Sequence, residues 1–257
     1  MTGPSQTILV IAHPGHELRV HGWLEATSPA VWILTDGSGH TGRSRIDSTT
    51  RVLEPSGAVP GPVYGFMTDV DLYNAVLGFN YRPFIDLVDQ LAAAILQAQV
   101  DCIAGDAEEG YNPGHDTCRL IIDAAVKLAK RKSRKPIRNY DFTLAGPPDL
   151  CPEELRSHSL WLHLDDEAFA RKLSAARNYP ELQAEVETAL NGASRFRVEC
   201  LRPINSHTIR SLADEPPYYE LYGERQVKSG YYKQVLRYNE HMLPLARALD
   251  SYVERNC

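Results

Sequence analysis

The feature that most constrains this chain is a six-residue apolar run near its start, Thr7 to Ala12 (TILVIA), which stops abruptly at His-Pro-Gly-His. The run is β-branched and continuous rather than alternating. A strand of that kind is buried on both faces, as in the interior of a parallel sheet. Glu17 to Ala26 then reads as a helix with a weak point at Gly22, and Ala30 to Leu34 (AVWIL) as a second strand closing on Thr-Asp-Gly-Ser. Pro83 to Gln99 carries apolar residues at helical spacing, with Pro in the first turn. Val100 to Ala104 reads as a third strand, Asp116 to Arg131 as a helix and Tyr140 to Leu144 as a fourth strand. Strands alternating with helices in this way predict an α/β fold: a Rossmann-like, mostly parallel sheet flanked by helices. Ligands of such sheets sit beyond the carboxyl ends of the strands.

After residue 150 the pattern becomes irregular. Helices are predicted at Asp165 to Ala176, Glu181 to Leu190 and Glu240 to Val253, with one strand at Phe196 to Leu201. This is a C-terminal α-rich elaboration, about 151–257, on a sheet core of about 5–150. No Gly/Ser linker divides the two, so 1–257 is expected to be one domain.

Composition narrows the function classes. Lys and Arg total 27 against 33 for Asp and Glu, a net charge of −6, which argues against a non-specific grip on nucleic acid. No apolar run approaches the roughly 18 residues of a membrane span, and the first residues lack the basic segment of a secretory signal. The five cysteines (Cys102, Cys118, Cys151, Cys200 and Cys257) are scattered, without a CxxC pair. They read as reduced thiols of a cytoplasmic protein. A metal, if held, falls to the nine histidines.

Two segments concentrate those histidines: Ala12-His13-Pro14-Gly15-His16-Glu17 and Asn112-Pro113-Gly114-His115-Asp116. Each follows a predicted buried strand and opens a predicted helix. Any one of these histidines alone reads as a hydrogen-bonded structural residue. Taken together at neighbouring strand ends, His13, His16 and His115 read as three nitrogen ligands for Zn2+ or another divalent metal. Three protein ligands and one open position is the pattern of a catalytic zinc, which lowers the pKa of water to about 7.

Ala-His-Pro-x-x-Glu after a first strand resembles the signature of the PIG-L/LmbE-like deacetylases, and Asn-Pro-Gly-His aligns with that family's later His-Pro-Asp-His. Arg51 and Glu54 resemble its Arg-x-x-Glu, so the likeness spans roughly residues 5 to 130, with a fainter echo in 165–183. The resemblance implies a zinc-dependent hydrolase that removes an N-acyl group from an amino sugar or sugar conjugate, with a small acylated sugar as its partner. The departures are specific. The family's general-base Asp is Gly15 here, its Asp zinc ligand is His16, its transition-state His is Asn112, and the Asp next to that His is Gly114. Exchanging a carboxylate ligand for imidazole raises the site's charge by one unit and makes a bound water more acidic. General acid–base help, worth about 10²–10⁴-fold, must then come from elsewhere or be absent. A non-hydrolytic metal- or carbohydrate-binding protein, or a different metal-dependent reaction on a glycan, therefore stays open beside the hydrolase.

Replacement catalytic groups are sought among Glu17, Asp36 and Asp116, with Glu108 and Glu109 behind them. Glu17 and Asp116 equally suit helix capping or support of a ligand histidine. Asp36 suits either a turn or a substrate contact. Arg51 and Asn112 are the substrate-binding candidates, and Arg43 and Arg45 line a Gly-rich loop, Gly37 to Arg45, that lacks a phosphate-binding fingerprint. Residues 218–238 hold six of the 13 tyrosines, read first as packing and second as a sugar surface. His241 and His207 are remote candidates for an imported acid.

Overall fold

The computed structural model describes residues 6–39, 41–133, 135–190, 192–204 and 216–256; His207 and Cys257 lie outside them. Its strands are β1 (Thr7–Ile11), β2 (Ala30–Thr35), β3 (Val59–Met67), β4 (Cys102–Asp106), β5 (Arg138–Phe142), β6 (Leu160–His163) and β7 (Val198–Pro203). The helices are α1 (His21–Thr27), α2 (Ile46–Ser56), α3 (Asp69–Leu77), α4 (Arg82–Gln97), α5 (Pro113–Ser133), α6 (Asp166–Arg177), α7 (Gln183–Leu190), α8 (Tyr218–Lys228) and α9 (Leu243–Arg255).

The strands form one seven-stranded sheet in the order β3-β2-β1-β4-β5-β7-β6. The pairs from β3 through β5 are parallel, while β7 runs antiparallel to both β5 and β6. The expected α/β architecture is the observed one. β1 is central, with Ile8 opposite Ala30 on one side and Ile103 on the other. Its side chains alternate between faces as a strand requires. Ile8 and Val10 join the core under α3, α4, α5 and α9, whereas Leu9 and Ile11 join the core under α1 and α2. This explains the unbroken apolar run: both faces are covered.

Chain order reverses direction between β1 and β4, so the crevice beyond their carboxyl ends is the topological switch point. Gly105 lets α5 close over this seam, since a Cβ there would stand 2.4 Å from Ile122 Cδ1 and 2.5 Å from the Val10 carbonyl.

Five elements escaped the sequence pattern: α2, β3, α3, β6 and α8. α2 is rich in Ser and Thr and contains Pro55. β3 contains two prolines, tolerable because it is an exposed edge strand with register irregularities against β2. α3 is short, and its start is marked by a capping box between Thr68 and Asp71. Glu17 opens a short 3-10 turn, His16–Val20, ahead of α1 rather than the α-helix itself. The Tyr-rich segment, with no predicted element, begins with α8. Among the described residues no helix is long and apolar enough to cross a membrane.

The C-terminal part is tied into the core chemically. Glu199 of β7 accepts hydrogen bonds from Gly22 N (2.8 Å) and Trp23 N (2.9 Å), placing a carboxylate at the start of α1. Lys172 of α6 meets Glu199 at 2.7 Å, and both side chains are buried.

Candidate active site

β1 ends at the switch point and hands the chain to Ala12 and His13. Gly15 takes a left-handed φ of 106°, which turns the chain so that His16 also faces the crevice. β4 ends on Asp106, and the following loop reaches Asn112, whose Oδ1 accepts Gly114 N at 2.7 Å and so shapes the first turn of α5, where His115 stands. The three imidazoles come together edge to face. Ring centres lie 5.2 Å apart for His13 and His16, 5.3 Å for His13 and His115, and 4.6 Å for His16 and His115.

Two of the rings are held from behind by carboxylates. His13 Nδ1 lies 2.7 Å from Asp69 Oδ1 and 2.7 Å from Thr35 Oγ1. His16 Nδ1 lies 2.9 Å from Asp106 Oδ2, an oxygen that also accepts Ala12 N at 2.8 Å. Burial and the neighbouring rings hold His16 and His115 well below the usual histidine range, so both are neutral at pH 7. Burial opposes ionisation of Asp69, but hydrogen bonds from His13, Thr35 and the Gly39 amide outweigh it and hold Asp69 far below the carboxylate range. Asp106, wholly buried, is pushed up to about 7 by desolvation against the Ala12 bond. Three buried polar atoms here have no hydrogen-bond partner: His13 Nε2, His115 Nδ1 and Asp106 Oδ1. Rings in contact are not yet donors around one point, however. Among the described residues no group of three or more His, Cys, Asp or Glu side chains is arranged to hold a metal ion.

The other predicted residues serve mainly the loops. Glu17 is fully buried, accepts Gly15 N (2.7 Å) and Thr49 Oγ1 (2.8 Å), and is raised by burial to about 7. Asp36 Oδ1 accepts the backbone N and hydroxyl of Ser38, a turn bond. Asp116 Oδ1 accepts Glu109 N and Gly110 N, and the Glu109 carboxylate accepts Leu144 N and Ala145 N. Arg51 is exposed and donates to Ser48 Oγ. Arg45 is half-buried, donates to the Gly37 carbonyl and contributes positive charge at His16, whereas Arg43 is exposed. His241 is buried and takes a hydrogen bond from Arg237 N.

Position 15, where the resembled family has its general base, is filled from the C-terminal part. A Cβ on Gly15 would stand 2.4 Å from Leu182 Cδ1 and 3.7 Å from Tyr179 Cζ. Tyr179 is fully buried, and its hydroxyl lies 2.9 Å from Thr49 Oγ1. Position 114 is equally closed, because a Cβ there would meet His13 Nε2 at 2.8 Å. The side chains at this cluster not anticipated from sequence are Asp69 and Asp106. Asp106 terminates a buried strand with a charge, and Asp69 follows the Thr68 cap; those were their signals.

No protein-family profile and no curated protein matches the sequence. Solved structures do match the fold. The crystal structure of the zinc-inhibited form of teicoplanin deacetylase Orf2 aligns at 12% identity and TM-score 0.50, over 79% of this chain and 100% of that one. The conserved protein TT1542 from Thermus thermophilus aligns at 15% identity and TM-score 0.52, over 82% of this chain and 100% of that one. A triple mutant of a deacetylase of the teicoplanin biosynthetic pathway aligns at 13% identity and TM-score 0.50, over 79% of this chain and 100% of that one. At these identities the likeness is one of fold.

Proposed function

We propose that this chain is a deacetylase-type amide hydrolase acting on an N-acylated amino sugar or sugar conjugate, with a divalent metal held by His13, His16 and His115. The observation that carries the reading is the meeting of three imidazoles at the switch point, two of them backed by carboxylates. The donor set suits a metal: His16 and His115 are neutral, and ring nitrogens of His13 and His115 are buried without a partner. Bound there, the ion supplies a Lewis acid that polarises the acyl carbonyl and activates water.

The chain's own residues set the geometry. Asp106 and Asp69 are positioning residues that fix the tautomers of His16 and His13 through their Nδ1 atoms. Asn112 shapes the turn that presents His115 and stands at the crevice edge, where an acyl oxygen or sugar hydroxyl can reach it. Glu17 holds the His13–His16 loop through Gly15 N rather than facing substrate. β6 and β7 continue the sheet and Glu199 caps α1, so we take 1–257 to work as one domain.

The closing of position 15 by Leu182 supports the second reading, a metal- or carbohydrate-binding protein without hydrolysis. One experiment separates the two. The full chain is dialysed against zinc, manganese or cobalt, its metal content is measured, and acetate release from N-acetylglucosamine is followed. One ion per chain, lost in His16→Ala and His115→Ala, together with acetate release, is expected. Full metal content in His115→Ala overturns the ligand set. Bound metal without release from any N-acylated amino sugar overturns the hydrolase.

A further inference from the structure

A row of exposed tyrosines leads away from His115. The Tyr111 ring lies 6.3 Å from the His115 ring and is stacked on Tyr218 at 5.1 Å, with planes 5° apart. The row continues to Tyr222 at 6.3 Å and Tyr232 at 6.4 Å. Tyr218 and Tyr222 are four residues apart on α8, so they share one face of the helix. The start of α8 is anchored to the β4 loop by Tyr219 N donating to the Gly110 carbonyl, which fixes the row relative to the site. Tyr111 is 49% exposed, and Tyr222 and Tyr232 are each 40% exposed. Packing alone does not account for so many large rings left in water.

The chemistry of the row selects its ligand. Tyr218 is covered by the stacked Tyr111 and by the Arg225 guanidinium, 5.6 Å from its ring centre, so it holds the row together. The exposed rings beside it, Tyr111, Tyr222 and Tyr232, carry apolar surface rimmed by a phenol hydroxyl, matching the apolar C–H face and hydroxyl rim of a pyranose. The arginines beside it are engaged: Arg225 donates to the Tyr218 hydroxyl at 3.3 Å, and Arg237 pairs with Glu220 and Glu224. The surface therefore favours an uncharged ligand over a phosphorylated one. Four ring-to-ring steps of 5.1–6.4 Å, the first from His115, exceed the length of a single sugar.

We propose that Tyr111, Tyr218, Tyr222 and Tyr232 form an extended saccharide subsite, so that the acylated sugar reaches the histidines as one unit of a longer glycan. This deepens the hydrolase reading and rests on it for the position of the acylated unit.

The test measures binding separately from turnover. Calorimetric titration of the zinc-dialysed full chain with N-acetylglucosamine and with its β-1,4-linked tetramer is expected to show the tetramer binding at least about 10-fold more tightly. Tyr222→Ala and Tyr111→Ala should each lower tetramer affinity about 10-fold, and Tyr222→Phe, which keeps the ring face, should retain it. Unchanged thermal unfolding confirms that the variants fold. Equal affinities for monomer and tetramer, no tetramer binding, or Ala variants with wild-type affinity would overturn the subsite. Tyrosine-dependent tetramer binding without acetate release defeats the hydrolase and leaves the subsite standing. Acetate release without length dependence does the reverse.

Discussion

Replacing Gly15 with Asp restores the residue that the resembled family uses as its base, and the structure predicts loss rather than gain. Two effects add. A side chain at φ 106° is strained, at a cost of about 1–2 kcal/mol. Its Cβ would then stand 2.4 Å from Leu182 Cδ1, with the buried Tyr179 ring behind. The Leu tip must move, and overpacking of this kind costs about 1–3 kcal/mol. Together, roughly 2–5 kcal/mol is expected, which for a chain this size lowers Tm by roughly 4–20 °C. Urea unfolding of Gly15→Asp, Leu182→Ala and the double variant separates the parts. In the Leu182→Ala background the Asp substitution should keep only the backbone strain, leaving a coupling of about 1–3 kcal/mol, the overpacking part. Gly15→Asp within about 2 °C of wild type, equal costs in both backgrounds, or a gain in acetate release would refute the claim that the C-terminal part fills this position.

Further outcomes follow from the same geometry. Asp106→Asn replaces the carboxylate behind His16 with a neutral amide, a weaker acceptor for Nδ1–H, and should weaken metal binding about 10–100-fold, read by competition with a fluorescent zinc chelator. Glu199→Gln strips the buried Lys172 of its counter-ion and should destabilise the fold by about 3 kcal/mol. Adding Lys172→Met should recover part of that loss, and strictly additive costs would refute the pairing. His21 opens α1 with Nδ1 buried and unpartnered, and burial lowers its pKa below 6.5. A base depressed in the folded state contributes stability that is complete above about pH 6.5 and lost as the pH falls. Denaturation midpoints at pH 7.5 and 5 should therefore differ less in His21→Gln than in wild type.

What could be read from sequence follows how locally each signal is encoded. β1 was legible because burial on both faces leaves an unbroken apolar run, and the histidines were legible because they cluster at the ends of such runs. Edge strand β3, with its prolines and glycines, carries no such signal; its place is set by pairing with β2. Asp69 and Asp106 were missed because what singles them out is three-dimensional. Asp106 sits beside the Nδ1 of a histidine 90 residues away, and Asp69 beside that of a histidine in another element. Gly15 and Gly114 were legible only as missing aspartates. That Leu182 and the His13 ring occupy the space beside them required the assembled fold.

The carboxylate of Glu199 at the start of α1 also sets an order of events during synthesis. Its bonds to Gly22 and Trp23 span 177 and 176 residues. At about 5–20 residues per second, α1 emerges from the ribosome roughly 10–35 s before the group that caps it. The loop carrying His13 and His16 runs directly into that uncapped helix. A nascent chain therefore displays two of the three histidines long before their surroundings are complete, and a stalled or truncated product ending before β7 exposes them without the lattice of bonds that orders them.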